Sequence, residues 1–295
     1  VPQLHLRNAA LEVVVLPEAG GGLAAFNWIG AGGKVPLMRE LPGDLAAPDP
    51  NQLACYPLVP WSNRIGHGCF DFDGNTFRLA PNYPPEPYPI HGDAWLSGWT
   101  VLTSADDAVA LGLDKTAATP FAYVAGMSYA LRGNALAVEL WAENRGAARM
   151  PFGLGLHPWF DRTPGVALEA PAQGMWVAGP DVLPIAHGAP PRDVNFQQLA
   201  PLPQRLVDNC FSGWGGVAQI RWDDRGVGLR IESSPAVSYY VLFCPPSKPV
   251  FCFEPVTHPI DAFNLPEPFV RAGLTVLAPG QRLAFRVTFT LLVPA

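Results

Sequence analysis

The sequence predicts an all-β protein built mainly of antiparallel strands, and three observations carry that reading. Thirty-four prolines and 29 glycines are spread through the 295 residues, which works against long helices: proline lacks a backbone donor and glycine loses the most entropy on ordering. The regular stretches alternate apolar and polar residues with a period of two, the repeat of a strand with one buried face. Turn signals fall between those stretches where hairpins would need them.

Taken along the chain, "FDFDGNTFRL" reads as a hairpin turning at Asp73-Gly74-Asn75, and "YALRGNALAV" as another turning at Gly133-Asn134. "ALAVELWAEN" places Leu136, Val138, Leu140 and Ala142 on one strand face. "IRWDDRGVGLRI" turns around Arg225-Gly226, and "RLAFRVTFTLLV" (282–293) sets Leu283, Phe285, Val287, Phe289 and Leu291 on one face. The Pro-rich pieces "PNYPPEPYPIHG" (81–92) and "PDVLPIAHGAPPRD" (180–193) read as ordered long loops. With no fixed-period repeat and no low-complexity linker, residues 1–295 read as one β-sandwich domain. A chain that is 49% hydrophobic and 15% charged supplies its core easily.

Composition narrows the function classes. The net charge is −6 and no Lys/Arg cluster occurs, which argues against nucleic acid or acidic membrane as partner. No run approaches the roughly 18–20 apolar residues of a bilayer helix. "VPQLHLRNAALEVVVLPEAG" lacks a basic segment followed by an apolar block, so no signal peptide is read. Cys55, Cys69, Cys210, Cys244 and Cys252 are odd in number and contain no C-x-x-C pair. They read as buried free thiols of a reducing, cytoplasmic compartment. Glu254 and His258 stand four apart, but Pro255 and Pro259 forbid the helix that would join them as ligands. Without H-E-x-x-H, G-x-S-x-G or a glycine-rich phosphate loop, no metal, serine triad or nucleotide cofactor is expected.

Three polar residues stand in unusual surroundings. His91 follows a Pro-rich loop and precedes Gly92, where backbone can approach a ligand. His157 sits within "FGLGLHPWF", and Glu254 emerges from the apolar run Val250-Phe251-Cys252-Phe253. Each alone reads as a hydrogen-bonded structural residue; together they suggest a pocket whose acid and base groups are tuned by partial burial. Asn63-Arg64 adds a fork of donors beside Trp61, and Asp208 adds an acid in an aromatic context. Aromatic faces beside polar forks suit the mixed apolar and hydroxyl surface of a sugar.

The strings "NRIGHGCFDFDGNTFRL", "IHG", "LGLHPWF", "LVDNCFSGW" and "CFEPVTHPIDAFN", in that order between about residues 50 and 264, resemble the aldose 1-epimerase (galactose mutarotase) family. The resemblance implies a large antiparallel β-supersandwich with an open sugar cleft and no cofactor, working as a monomer or homodimer on a small sugar. It implies that Arg64 binds sugar hydroxyls, His91 helps hold the ring oxygen, His157 is the general acid, Asp208 accepts from a hydroxyl and Glu254 is the general base. Histidine suits the acid role because its ordinary pKa of about 6.5 lies near neutrality. Departures mark a divergent bacterial-type branch: Leu156 and Pro158 flank the histidine, Asp93 replaces a second glycine after His-Gly, and Val256 replaces a glutamine. Three alternatives stay open on the sequence: a carbohydrate-binding or sensing module without catalysis, a hexose-6-phosphate 1-epimerase, and a glycosidase with Asp208 and Glu254 as its carboxylate pair.

Overall fold

The computed structural model describes residues 2–43, 48–234 and 237–293. Two large antiparallel sheets dominate it. The first has nine strands in the order Ala200–Pro201, Val166–Glu169, Val217–Trp222, Val227–Ser233, Arg282–Leu292, Ala135–Asn144, Tyr123–Arg132, Ala108–Lys115 and Thr100–Ser104. The second runs Pro184–Gly188, Gly174–Ala178, Val207–Ser212, Tyr239–Cys244, Val250–Val256, Gly155–Leu156 and Pro57–Leu58, with Trp159–Asp161 also pairing with Val250–Val256. A smaller sheet comprises Leu4–Arg7, Leu11–Leu16, Gly22–Gly30 and Gly33–Pro36. Helix is confined, among the described residues, to short 3-10 turns, and none is long and apolar enough to cross a membrane.

The alternation read from the sequence is what closes the sandwich. Leu136 pairs with Phe289, Val138 with Val287 and Leu140 with Phe285 across two neighbouring strands. All six side chains are almost wholly buried, each burial contributing about 1.5–3 kcal/mol before the entropy of ordering is subtracted. The same cluster takes in Phe211, Tyr240, Leu242, Phe251 and Phe253 from the other sheet, so the two sheets share one core.

The hairpins at Asp73-Gly74, Gly133-Asn134 and Arg225-Gly226 form between the strands expected. The segment 180–193 departs from the loop expected of it, because Pro184–Gly188 adds an edge strand to Gly174–Ala178. Proline is tolerated there at the first position of an edge strand, where no ladder donor is needed.

The second sheet is buried on both faces, and the parity of its residues decides what each face holds. Phe251 and Phe253 turn to the inter-sheet core. Cys210, Val241, Cys252, Trp159 and Trp176 instead join a second cluster with Tyr56, Leu58 and Trp95 on the opposite face. That second face carries the cleft.

Candidate active site

Six of the polar residues singled out in the sequence, Asn63, Arg64, His91, His157, Asp208 and Glu254, line one open cleft, the concave, mixed polar and aromatic setting usual for a small-molecule site. Glu254 reaches it because residues alternate along Val250–Val256: with Phe253 in the core, its neighbour must face the other way.

His157 reaches it by the same parity. Leu156 and Phe160 point into the inter-sheet core while His157 and Trp159 face the cleft. The N–H groups of His157 and Trp159 donate to the carbonyls of Tyr56 and Ala54 at 2.9 and 2.8 Å. Residue 158 lies between those two donors and owes none to that segment, so Pro158 fits without breaking the ladder.

His91 and Asn63 hold each other in place. Both adopt the left-handed conformation, at φ 62° and 56°, which costs a histidine on the order of 1–3 kcal/mol unless neighbours enforce it. The His91 N–H donates to the Asn63 carbonyl at 2.9 Å, and the Asn63 N–H donates to His91 Nδ1 at 3.0 Å. Because Nδ1 accepts, the neutral ring carries its proton on Nε2. Gly92 lets this happen: with φ 67°, a Cβ there would lie 1.9 Å from the Val59 carbonyl oxygen.

Arg64 is fixed by a partner the sequence reading did not name. Its Nε and Nη2 donate to Glu86 Oε2 and Oε1, both at 2.9 Å, the bidentate fork that suits guanidinium and carboxylate. Nη1 donates to Asn63 Oδ1 at 3.2 Å and lies 3.7 Å from Asp208 Oδ2. Burial raises the Asp208 carboxyl above its usual range and Glu86 adds to the rise, while Arg64 opposes both.

At the foot of the cleft, His157 Nε2 lies 3.2 Å from Glu254 Oε1. His157 is 6% exposed and Glu254 2%. Among the described residues, His157 Nδ1 and Glu254 Oε2 are buried without a hydrogen-bond partner, a feature uncommon for buried polar atoms. Burial lifts the Glu254 carboxyl well above its ordinary value, with help from Asp208 and against Arg64. Burial also pulls His157 down to about 3, and the positive charge of Arg39 adds to that. Burial thus moves His157 below the ordinary imidazole value expected from the sequence. His91 is lowered too, by burial first and then by His157 and Arg64. Burial thus favours the neutral form of each group in the pair.

Trp61, expected to help bind substrate, is not on this lining. Its ring packs in the core 5.4 Å from Phe121, since the turn to Asn63 sends the preceding tryptophan inward. The aromatic surface comes instead from Tyr83, Trp95, Trp159 and Phe243. Tyr83 and Glu86 arrive on the Pro-rich loop, whose length was the one signal that could have exposed them. His258, weighed as a ligand partner of Glu254, is consumed locally: Nε2 accepts from the Ser62 N–H at 3.0 Å and Nδ1 meets the Pro259 carbonyl at 2.8 Å.

Comparison with known proteins gives this geometry a family. The model for aldose 1-epimerases matches residues 2–290. The uncharacterised protein YphB of Escherichia coli K12 is 32% identical over 238 residues, covering 77% of this chain and 80% of that one. A provisionally named aldose 1-epimerase from Escherichia coli K12, known from its crystal structure, superposes with a TM-score of 0.91 at 28% identity over 99% of both chains. The GalM/aldose epimerase homologue from C. elegans shares the fold, with a TM-score of 0.80 at 18% identity, over 100% of this chain and 99% of that one.

Proposed function

The chain belongs to the aldose 1-epimerase family, and from that premise we propose that its cleft interconverts the α and β anomers of a free hexose. The observation that carries the reading is the His157–Glu254 pair: an imidazole nitrogen and a carboxylate oxygen 3.2 Å apart, each residue with a second polar atom buried and unpartnered.

Anomer exchange needs one proton taken from the C1 hydroxyl and one given to the ring oxygen. In the proposed reaction Glu254 accepts the first as the C1–O5 bond breaks, and His157 donates the second. The open-chain aldehyde turns about C1–C2, and closure reverses both transfers. No proton is gained or lost overall, so a pair that carries one proton can start and finish each turnover in the same state. With both groups neutral, moving one proton from Glu254 to His157 yields the base and acid the reaction requires.

The remaining residues hold the sugar. His91 offers an Nε2–H toward the ring oxygen, Arg64, Asn63 and Asp208 engage hydroxyls, and Trp159 and Phe243 face the apolar side of the ring. Because Arg64 is already committed to Glu86, it supplies little free charge for a phosphate. Lys248, exposed at the cleft rim, is the feature that favours a sugar phosphate as second reading.

Polarimetry of freshly dissolved α-glucose, α-galactose and α-glucose 6-phosphate tests both. The expected result is faster equilibration with at least one of them, abolished in His157→Ala and Glu254→Gln. Calorimetric sugar binding that survives Glu254→Gln, with no acceleration by the wild type, would instead mean a binding module.

A further inference from the structure

Cys252 is a buried thiol beside the acid–base pair that the proposed reaction does not use. Its register places it on the cleft-side face of the sheet, wholly buried beneath the lining residues. It pairs with Phe243 on one side and Trp159 on the other, both of which line the cleft, and directly paired residues in antiparallel strands share a face. Glu254, two residues further along the same strand, shares that face as well.

The thiol sulfur, a ring nitrogen of His157 and a carboxylate oxygen of Glu254 all lie within 4.8 Å of one another. His157 Nδ1 and Glu254 Oε2 are buried and lack partners. Four-residue spacing across Pro255 gave no reason to expect a metal here. The two-residue spacing of a strand, closed by His157 from a neighbouring segment, produces one soft, one borderline and one hard ligand at a single point. Sulfur, imidazole and carboxylate together suit Zn²⁺ and its congeners, whose tetrahedral bond lengths of about 2.0–2.3 Å would draw these atoms closer together.

We propose that Cys252, His157 and Glu254 form a site for one zinc-class divalent ion at the floor of the cleft, and that the ion and the sugar exclude each other. On binding, the Cys252 thiol releases its proton to solvent, as does Glu254 where it is protonated. The aqua ion sheds the waters that the three protein atoms replace, and its fourth position stays open toward the cleft. Thiolate and carboxylate together balance the 2+ charge, so the dry floor gains no net charge. The ion occupies the acid and the base at once, which makes it an inhibitor of the proposed reaction. The site stands apart from that reaction; only the inhibition rests on it.

Cadmium reads the site directly, because a thiolate–cadmium bond gives an ultraviolet charge-transfer band. Titration of the metal-free protein with Cd²⁺ should give the band at one ion per chain. Cys252→Ala and Cys252→Ser should abolish it, and Cys69→Ser, at the most accessible of the five thiols, should keep it. In polarimetry Zn²⁺ should slow the wild type in competition with sugar and be reversed by a chelator. Cys252→Ala should retain the basal rate and tolerate at least about tenfold more Zn²⁺, since even the loss of a residue that only orients a ligand weakens metal binding about 10–100-fold. A cadmium band that survives in both Cys252 variants, or its absence from the wild type, overturns the site. Equal zinc sensitivity in the wild type and Cys252→Ala overturns the inhibition. A chain without anomerase activity leaves the cadmium experiment fully decisive.

Discussion

The strand Val250–Val256 has two faces that obey opposite rules. Phe251 and Phe253 enter the inter-sheet core, where Phe253 packs 4.6 Å from Tyr240 and 5.5 Å from Trp214, and neither side chain carries a polar atom to satisfy. Cys252 and Glu254 face the cleft, where a carboxylate is buried at 2% exposure with one oxygen unpartnered. One strand thus supplies rigidity on one side and unspent chemistry on the other. The difference teaches that this site is held by stability generated elsewhere, as buried polar groups require.

Substituting adjacent residues on the two faces is the strongest way to break the comparison. Phe253→Ala should cost about 3–5 kcal/mol of stability, the range for large-to-small core changes. The protein that still folds at low temperature should retain most of its rate. Glu254→Gln should leave the fold intact and remove about 10²–10⁴-fold of the anomerase rate, the usual worth of a general base. Denaturant melts and polarimetry on both variants check this; similar stability losses in the two would erase the distinction.

The pH profile sharpens it next. Burial raises Glu254 and lowers His157 to about 3, so the one-proton pair spans a wide range. In protein kept metal-free with a chelator, kcat/KM should show a plateau that begins above His157's lowered value and is bounded on its alkaline side by the raised Glu254. It should fall on the alkaline side as the pair loses its proton and on the acid side as it gains a second. A single sigmoid centred on an ordinary imidazole value would contradict this.

A smaller effect follows for stability. Because the Glu254 carboxyl is raised in the folded state, the fold binds its proton more tightly than the unfolded chain does. Wild-type stability from this group is therefore full below about 4.3 and declines as pH climbs through the folded value. Glu254→Gln has no such proton to lose. Its Tm should exceed the wild type's at pH 8, and the gap should close as pH approaches 4. An inactive variant that gains stability is the expected mark of a strained site.

The inter-sheet face was legible in the sequence and the cleft face only in part, for a physical reason. Leu136, Val138, Phe285, Val287 and Phe289 announce themselves by alternation, since an apolar core asks nothing beyond period and volume. Glu254, His157 and His91 stood out because polar residues in apolar runs break that period. Glu86 was signalled only by the length of its loop, because its meaning depends on a guanidinium 22 residues away in sequence. Trp61 misled for the complementary reason: proximity to Asn63-Arg64 in the chain does not fix which way a ring turns. Cys252 was read only as one of five buried thiols, since its neighbourhood is made by strand register.

Arg39 tests how far a charge behind the cleft wall reaches into the chemistry. Its guanidinium lies 4.3 Å from the centre of the Trp159 ring, and Nη2 donates to the carbonyls of Asn51 and Leu53 at 3.0 and 2.7 Å. No carboxylate pairs with it among the described residues. Its charge therefore acts on what lies behind Trp159, and after burial it is the influence that holds His157 down. Arg39→Met keeps most of the bulk against the ring and removes the charge. The acid limb of kcat/KM should then move to higher pH, with the plateau rate changing by less than about tenfold, as fits a positioning residue that never touches the sugar. Arg39→Lys restores the charge and should return the limb toward its wild-type position. An acid limb that stays put in Arg39→Met, or moves equally in both variants, would mean that Arg39 only packs against Trp159.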